Sequence, residues 1–374
     1  MKEWIALNMT PGVGPRVATN LLERFGSPSA VFHARRTELE SLRLKPDTIE
    51  SIIKNEFTER AAGELERVKN IGADILILDD GSYPQLLREI ADPPITLYVR
   101  GDWQACIEQP CVAVIGSRQC STYGENASEM LSRDLASRGI TVISGLARGI
   151  DAAAHSGAIA GKGRTIAVMG TGIDAVYPKE NTRLVREILD NGGCLVSQFP
   201  LGTPPLKDNF PYRNRIISGL SLGVLIVEAS ERSGSLITAR LAAEQNREVM
   251  AVPGNITSAN SYGTNYLIKA GAKLVQQWQD IVAELPSEIA ARILPPKIEE
   301  KKNGHAKQQE LIPADLNDNE RKIWSLLTAD EATHIDALLD VSGLSFGDLN
   351  SVLVSLDIKD LIRVLPGKHY ARRL

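Results

Sequence analysis

Short apolar runs dominate the middle of the chain. From Asp74 onward the segments DILIL, ITLYV, CVAVIG, ITVISG, TIAVMG, CLVSQ, GVLIVEA and EVMAVPG follow one another, separated by stretches with helical apolar spacing. Nearly all are apolar throughout, as strands covered on both faces must be, and their alternation with amphipathic helices predicts a Rossmann-like, doubly wound, mainly parallel α/β sheet over residues 73–285. Residues 1–72 read differently. The spacing in NLLERF and ERAAGELERVKNIG, broken at Pro11-Gly12, Gly26-Ser27-Pro28 and Lys45-Pro46, predicts a small helical domain.

Residues 286–316 contain Pro295-Pro296 and the charge run Glu299 to Lys302 without a sustained apolar period, so a flexible linker is expected there. A third unit follows at 317–374. Helices through ERKIWSLL, HIDALLDVSG and FGDLNSVLVSLDIKD, then a hairpin through LIRVLPGKHYARRL, have the order of a winged helix. In such a module the third helix enters a DNA groove, with Arg363, Lys368, Arg372 and Arg373 as supporting cations. Charge argues the other way. Residues 310–374 carry 7 Lys+Arg against 11 Asp+Glu, which leaves a protein-interaction or structural role open.

Composition narrows the classes. A formal charge of −4 in 374 residues excludes a generally basic nucleic-acid coat, so any such binding needs a local patch. The amino terminus, MKEWIALNMTPGVG, has neither a basic n-region nor an apolar h-region, and no apolar run reaches membrane-spanning length; a cytoplasmic protein with no membrane partner is expected. Cys106, Cys111, Cys120 and Cys194 fit neither a finger spacing nor a disulfide framework, so no metal site is expected and the thiols are expected to be reduced.

Candidate chemistry collects at strand ends. After CVAVI come Gly116, Ser117 and Arg118, then Ser121-Thr-Tyr-Gly124 opening a helix; glycine lets a ligand approach the backbone, helix amides favour an anion, and arginine holds phosphate bidentately. The next two runs end in Ser144-Gly145-Leu-Ala-Arg-Gly-Ile-Asp151 and Gly170-Thr-Gly172-Ile-Asp174. Lys207, Phe210, Arg213, Asn214 and Arg215 then lie within nine residues at a helix start, where Phe210 or Tyr212 could stack on an unpaired base. Phe210 could equally be a core plug. Arg213 and Arg215 could equally be internal struts to Asp208 or Glu228. Ser235 and Thr264 read as helix caps whose amides would extend an anion-binding edge. In the helical unit, Gly12-Val13-Gly14-Pro15-Arg16 has the pattern of a helix-hairpin-helix turn that offers amides to phosphate, or of a plain turn between packed helices.

Several motifs are absent from the sequence. It has no GxGxxG, GxxxxGK[ST] or HExxH, so no cofactor is expected, and His155, the single histidine of the α/β region, reads as a satisfied imidazole rather than a general base. Asp151, Asp174 and Glu228 remain a possible acid/base set.

GSRxxSxYG at 116–124, SGLARGID at 144–151, FPYRNRIISGLS at 210–221, EASERSGSLITA at 228–239 and VPGN at 252–255 together closely resemble the DprA/Smf family over about 175 residues. Length and sequence suggest an enterobacterial member. The flanking units, a SAM or helix-hairpin-helix-like domain and a winged-helix-like domain, fit the family layout. The resemblance implies a non-catalytic single-stranded DNA-binding protein that self-associates through the Rossmann-like domain as a homodimer and helps load RecA recombinase during transformation or recombination. It also implies that Arg118, Lys207 and Phe210 contact DNA, with Gly116, Ser117 and the segment Arg213 to Arg215 in the same pocket. Two alternatives stand beside it: a nucleotide-processing enzyme of the phosphoribohydrolase type, whose PGGxGTxxE loop appears here only as VPGNITSA, and a protein adaptor.

Overall fold

The structure is a computed structural model that describes residues 1–294, 316–329 and 332–373. Its centre is a nine-stranded sheet: β1 (Asp74–Ile77), β2 (Thr96–Gly101), β3 (Cys111–Ile115), β4 (Thr141–Ser144), β5 (Thr165–Val168), β6 (Cys194–Ser197), β7 (Gly223–Ile226), β8 (Glu248–Ala251) and β9 (Lys273–Leu274). The strands lie in the order β1-β2-β6-β5-β4-β3-β7-β8-β9. From β6 to β9 all pairs are parallel, whereas β2 runs antiparallel to both β1 and β6. Apolar runs buried on both faces look alike in either direction, so the reversal at β2 was not readable from the pattern.

β3 shows how the sheet is built. All five of its residues are buried. Val112 and Val114 join a core with Leu131, Leu135 and Ala154, on the helices Thr122–Ala136 and Ile150–Ala160. Cys111, Ala113 and Ile115 face the opposite side and join Ile216, Ile217, Ala239 and Ala242, on the helices Asn209–Gly219 and Gly234–Glu244. Period-two alternation thus feeds two cores, and a fully buried leucine such as Leu135 contributes about 2 kcal/mol to its side.

The chain steps outward from β3 through β4 and β5 to β6, then returns to place β7 on the other side of β3. The loops after β3 and β7 therefore diverge at a topological switch point, where open α/β sheets leave a crevice for ligands.

The amino-terminal helices, among them Lys2–Met9, Pro15–Phe25 and Thr58–Asn70, share one continuous core with the sheet's flank. Trp4, Ile5 and Leu7 pack in the same cluster as Met169, Ile173, Ile188 and Leu201. Buried Glu64 accepts the Leu201 amide at 2.6 Å, which locks the helical unit to the loop after β6.

The segment expected to be a tether begins as structure. Helix Ser287–Ile293 seats Ile289, Ala290, Ile293 and Leu294 against the sheet's core, because its apolar spacing is sufficient once a neighbouring face is available. Residues 295–315 of that expected linker lie outside the described residues.

Beyond them, helices Asp318–Leu326, Ile335–Ser342 and Phe346–Ile358 pack with β10 (Thr333–His334), β11 (Ile362–Leu365) and β12 (His369–Arg372), which pair in the order β10-β12-β11 as a winged helix. Its expected wing cations are largely occupied. Arg363 bridges Glu125 at 2.8 Å and Glu129 at 2.7 Å, and Arg373 reaches Glu129 at 3.2 Å. Arg372 donates to the Leu327 carbonyl at 3.0 Å and lies over the Trp324 ring. Lys368 is exposed. Asn126 donates to the Ala329 and Arg372 carbonyls, both at 3.2 Å, so the wing is docked on helix Thr122–Ala136. Among the described residues no single helix is long and apolar enough to cross a membrane.

Candidate nucleic-acid interface

The switch point holds an open cavity of about 560 Å³, walled by the loops after β3, β4 and β7 and by the start of helix Asn209–Gly219. Gly116, Ser117, Arg118, Phe210, Arg213, Asn214 and Ser235 line it, together with Arg148, Ser230 and Ser233, which lie inside the SGLARGID and EASERSGSLITA motifs but carried no assigned role. Their signal in the sequence was weak, since serines and an arginine in loops serve solvent equally well.

Packing shapes the β3 loop. A Cβ on Gly116 would fall 2.7 Å from Ile150 Cγ1 and 2.8 Å from the Glu228 carbonyl, so glycine lets the β3 and β7 loops meet. The Ser117 amide then donates to that carbonyl at 2.8 Å. Arg118 emerges exposed, its guanidinium 5.4 Å from the centroid of Phe210. Phe210 also rests on Gly170, where a Cβ would come within 2.7 Å of ring Cδ1. An exposed arginine beside an aromatic ring, over a cavity, can hold a phosphate while a base finds an apolar surface.

The two arginines of the next helix turn inward, Arg213 beneath the cavity and Arg215 away from it. Arg213 is only 3% exposed, and its Nη1 donates to the Gly145 carbonyl at 2.8 Å and to the Val168 carbonyl. Burial pushes this guanidinium down to about 10, opposed by neighbouring Asp151 and reinforced by Arg118. Arg215, equally buried, donates to the Gln198 side chain and lies 3.7 Å from Asp92. Burial also lowers its pKa, against the pull of Asp92. Both arginines are internal struts in this structure. Their partners are carbonyls, Gln198, Asp92 and the field of Asp151, instead of Asp208 or Glu228, because one turn of helix beyond Pro211 rotates them under the sheet edge.

Ser144 is buried and donates to the Val114 carbonyl at 2.6 Å, so its hydroxyl is spent on the sheet. Gly145 is buried against Arg213 and Asp151. Gly172 is buried against the carbonyl of Pro200, and its amide donates to Thr203 at 3.0 Å. Lys207 is exposed just before helix Asn209–Gly219 and stands outside the cavity wall. The cap of helix Gly234–Glu244 is Ser233, whose hydroxyl oxygen accepts the Ser235 amide at 3.3 Å; Ser235 sits behind it. Thr264 lies inside helix Tyr262–Lys269 and donates to the Ser261 carbonyl at 3.2 Å. Tyr212, half exposed, carries Arg215 against its ring, and its hydroxyl lies beside Gly14 at the helix-hairpin-helix-like turn.

The carboxylates do not converge. Asp151 is buried beneath the β3 and β4 loops, its pKa raised by burial against the pull of Arg213 and the Ala147 and Gly116 amides. Asp174 accepts the Gly202 amide at 2.9 Å. Glu228 is buried and accepts the Ser121 amide at 2.9 Å and the Ser121 hydroxyl. His155 is fully buried, its Nδ1 2.7 Å from Thr165 Oγ1. The Thr165 hydroxyl donates to the Val142 carbonyl, so Nδ1 carries the proton toward Thr165. Among the described residues no group of three or more His, Cys, Asp or Glu could hold a metal ion.

Residues 74–286 match the family model described as DNA recombination-mediator protein A. The chain belongs to that family. A second model, the DprA winged helix domain, matches residues 307–368. Protein Smf of Escherichia coli K12 is 41% identical over 297 residues, 79% of this chain and 76% of that protein. Protein Smf of Synechocystis is 34% identical over 99% of this chain and 98% of its own length. Among solved structures, DNA processing protein A from Streptococcus pneumoniae superposes with a TM-score of 0.67 at 35% identity, covering 76% of this chain and 98% of its own. DNA processing protein A from Helicobacter pylori, described for its single-stranded DNA binding mode, gives 0.51 at 31% identity over 56% of this chain and 93% of its own. In this member of the recombination-mediator family the region that the first model matches is the α/β domain that carries Arg118 and Phe210.

Proposed function

We propose that this protein binds single-stranded DNA across the switch-point cavity, without cutting it, and helps load the RecA recombinase onto the strand during transformation or recombination in the cytoplasm. The observation that carries the reading is exposed Arg118 beside the Phe210 ring at the mouth of that cavity, in a family whose Helicobacter pylori relative is described by its single-stranded DNA binding mode. Phosphates would lie along Gly116, Ser117 and Arg118, with Lys207 as an outlying cation and Asn214 and Ser235 as neutral wall groups. Arg213 would hold the floor. The family description as a recombination mediator supports the RecA role.

A non-catalytic role fits the dispersed carboxylates, each occupied by amides of its own chain. Self-association as a homodimer through the Rossmann-like domain is supported by Tyr262 (55% exposed) and Tyr266 (60% exposed), on the helix before the open edge strand β9.

The test is a salt titration of a labelled oligothymidylate. Arg118→Ala and Lys207→Ala should each weaken binding and lower the slope of log K against log salt by about 1. Wild-type affinity and slope in both variants would remove the assignment.

A second reading makes the winged helix a protein dock. It is favoured by Phe346, Val354 and Ile358, exposed at 52%, 54% and 80% on the helix that such modules insert into DNA. Capture of RecA by the full chain and by Ile358→Asp decides it; equal recovery would remove the dock.

A further inference from the structure

Beside the main cavity lies a smaller one of about 70 Å³, bounded by Arg118, Arg148, Tyr177, Pro178 and Phe210. Tyr177 is 45% exposed, and its ring centroid is 5.5 Å from that of Phe210 with the planes tilted by 42°. The two rings therefore form a bent aromatic wall. Phe210 is already engaged, by Gly170 along its Cδ1–Cε1 side and by the Arg118 guanidinium over its ring. Tyr177 has the more open surface.

Two cations stand at the rim. Arg148 carries a side chain 64% exposed and paired with Glu180, its Nη2 3.0 Å from Oε2. So exposed a pair contributes little to stability, and a phosphate can replace the Glu180 carboxylate in the same fork. An aromatic surface between two arginines that can each take a phosphate suits successive nucleotides of an unpaired strand, whose bases are free to stack.

From this geometry we propose that Tyr177 and Pro178 form a second nucleobase subsite, in which a base stacks on the Tyr177 ring while the neighbouring phosphate lies between Arg118 and Arg148. The ligand is a base of a single-stranded nucleic acid, and the proposal rests on the strand-binding reading above. The strand then runs from the switch point over the β4 and β5 loops.

The experiment compares wild type, Tyr177→Phe, Tyr177→Ala and Arg118→Ala on a short oligothymidylate and on an abasic strand of equal length, across a salt series. Loss of one stacked base weakens binding by roughly 5- to 100-fold. Tyr177→Ala should show that loss on oligothymidylate with an unchanged salt slope, bind the abasic strand as wild type does, and be rescued by Tyr177→Phe. Should Tyr177→Ala unfold, Tyr177→Leu keeps apolar bulk without a ring and takes its place. If Arg118→Ala weakens binding but the ring-less variant does not, the subsite is wrong while the strand-binding reading stands. Equal weakening on both strands likewise overturns it, since stacking cannot act without bases. Wild-type binding by Arg118→Ala would instead bring down the underlying reading.

Discussion

The Glu228 carboxylate accepts the backbone amide of Ser121 at 2.9 Å and also takes the Ser121 hydroxyl, so the amino end of helix Thr122–Ala136 already holds an anion of the protein's own. That is where a Rossmann-like domain otherwise seats a ligand phosphate. A Cβ on Gly124 would collide with the same carboxyl group, which explains the glycine at the third residue of the helix. In the proposed reading an external phosphate is therefore met by Arg118 and not by this helix end.

Glu228→Gln keeps the shape but removes the charge from the helix end and leaves one donor mismatched. A stability loss of about 1–3 kcal/mol is expected, with oligonucleotide affinity unchanged. Urea unfolding alongside a binding titration checks it. Unaltered stability with a loss of DNA affinity as large as that of Arg118→Ala would place Glu228 in the ligand site instead.

Arg213 and Arg118 should separate cleanly. Arg213→Met strands the Gly145 and Val168 carbonyls and leaves buried Asp151 without its nearest cationic field, for a loss of about 2–4 kcal/mol. Arg118→Ala, being exposed, should leave the unfolding midpoint within about 0.5 kcal/mol of wild type and act on binding alone. Measured midpoints that rank the two in the opposite order would contradict the strut assignment.

His155 makes stability depend on pH. Burial, assisted by Arg213, pushes its imidazole down to about 3 in the folded protein, from an ordinary value near 6.5. Below 6.5 the unfolded chain takes up a proton that the folded chain refuses. Stability should therefore fall as pH drops from 6.5 toward 3, at up to about 1.4 kcal/mol per unit, and be unaffected by this group above 7. An imidazole resonance assigned to His155 that titrates near 6.5 in the native protein would refute it.

Much was determined by the sequence alone. Apolar runs at helix-spaced intervals could only be strands buried on both faces, and a glycine or hydroxyl after each placed the loops at one edge, so the mainly parallel sheet, the winged helix and the neighbourhood of Gly116 to Arg118 were legible from local pattern. Family motifs added the likeness to a recombination mediator. Which arginine faces solvent was not legible: Arg118 after a strand and Arg213 and Arg215 at a helix start carry the same charge, and only packing sends the last two inward to carbonyls and Gln198. The same holds for Glu228, whose position at a helix end 107 residues distant in sequence no spacing rule connects to Ser121. Tyr177 is the clearest case. Nothing in its local sequence marks it, and it becomes a candidate only because the fold brings the β5 loop against Phe210. Local periodicity records burial, which is a property of one segment; exposure, pairing and the choice of partner belong to several segments at once, and the tertiary structure alone decides them.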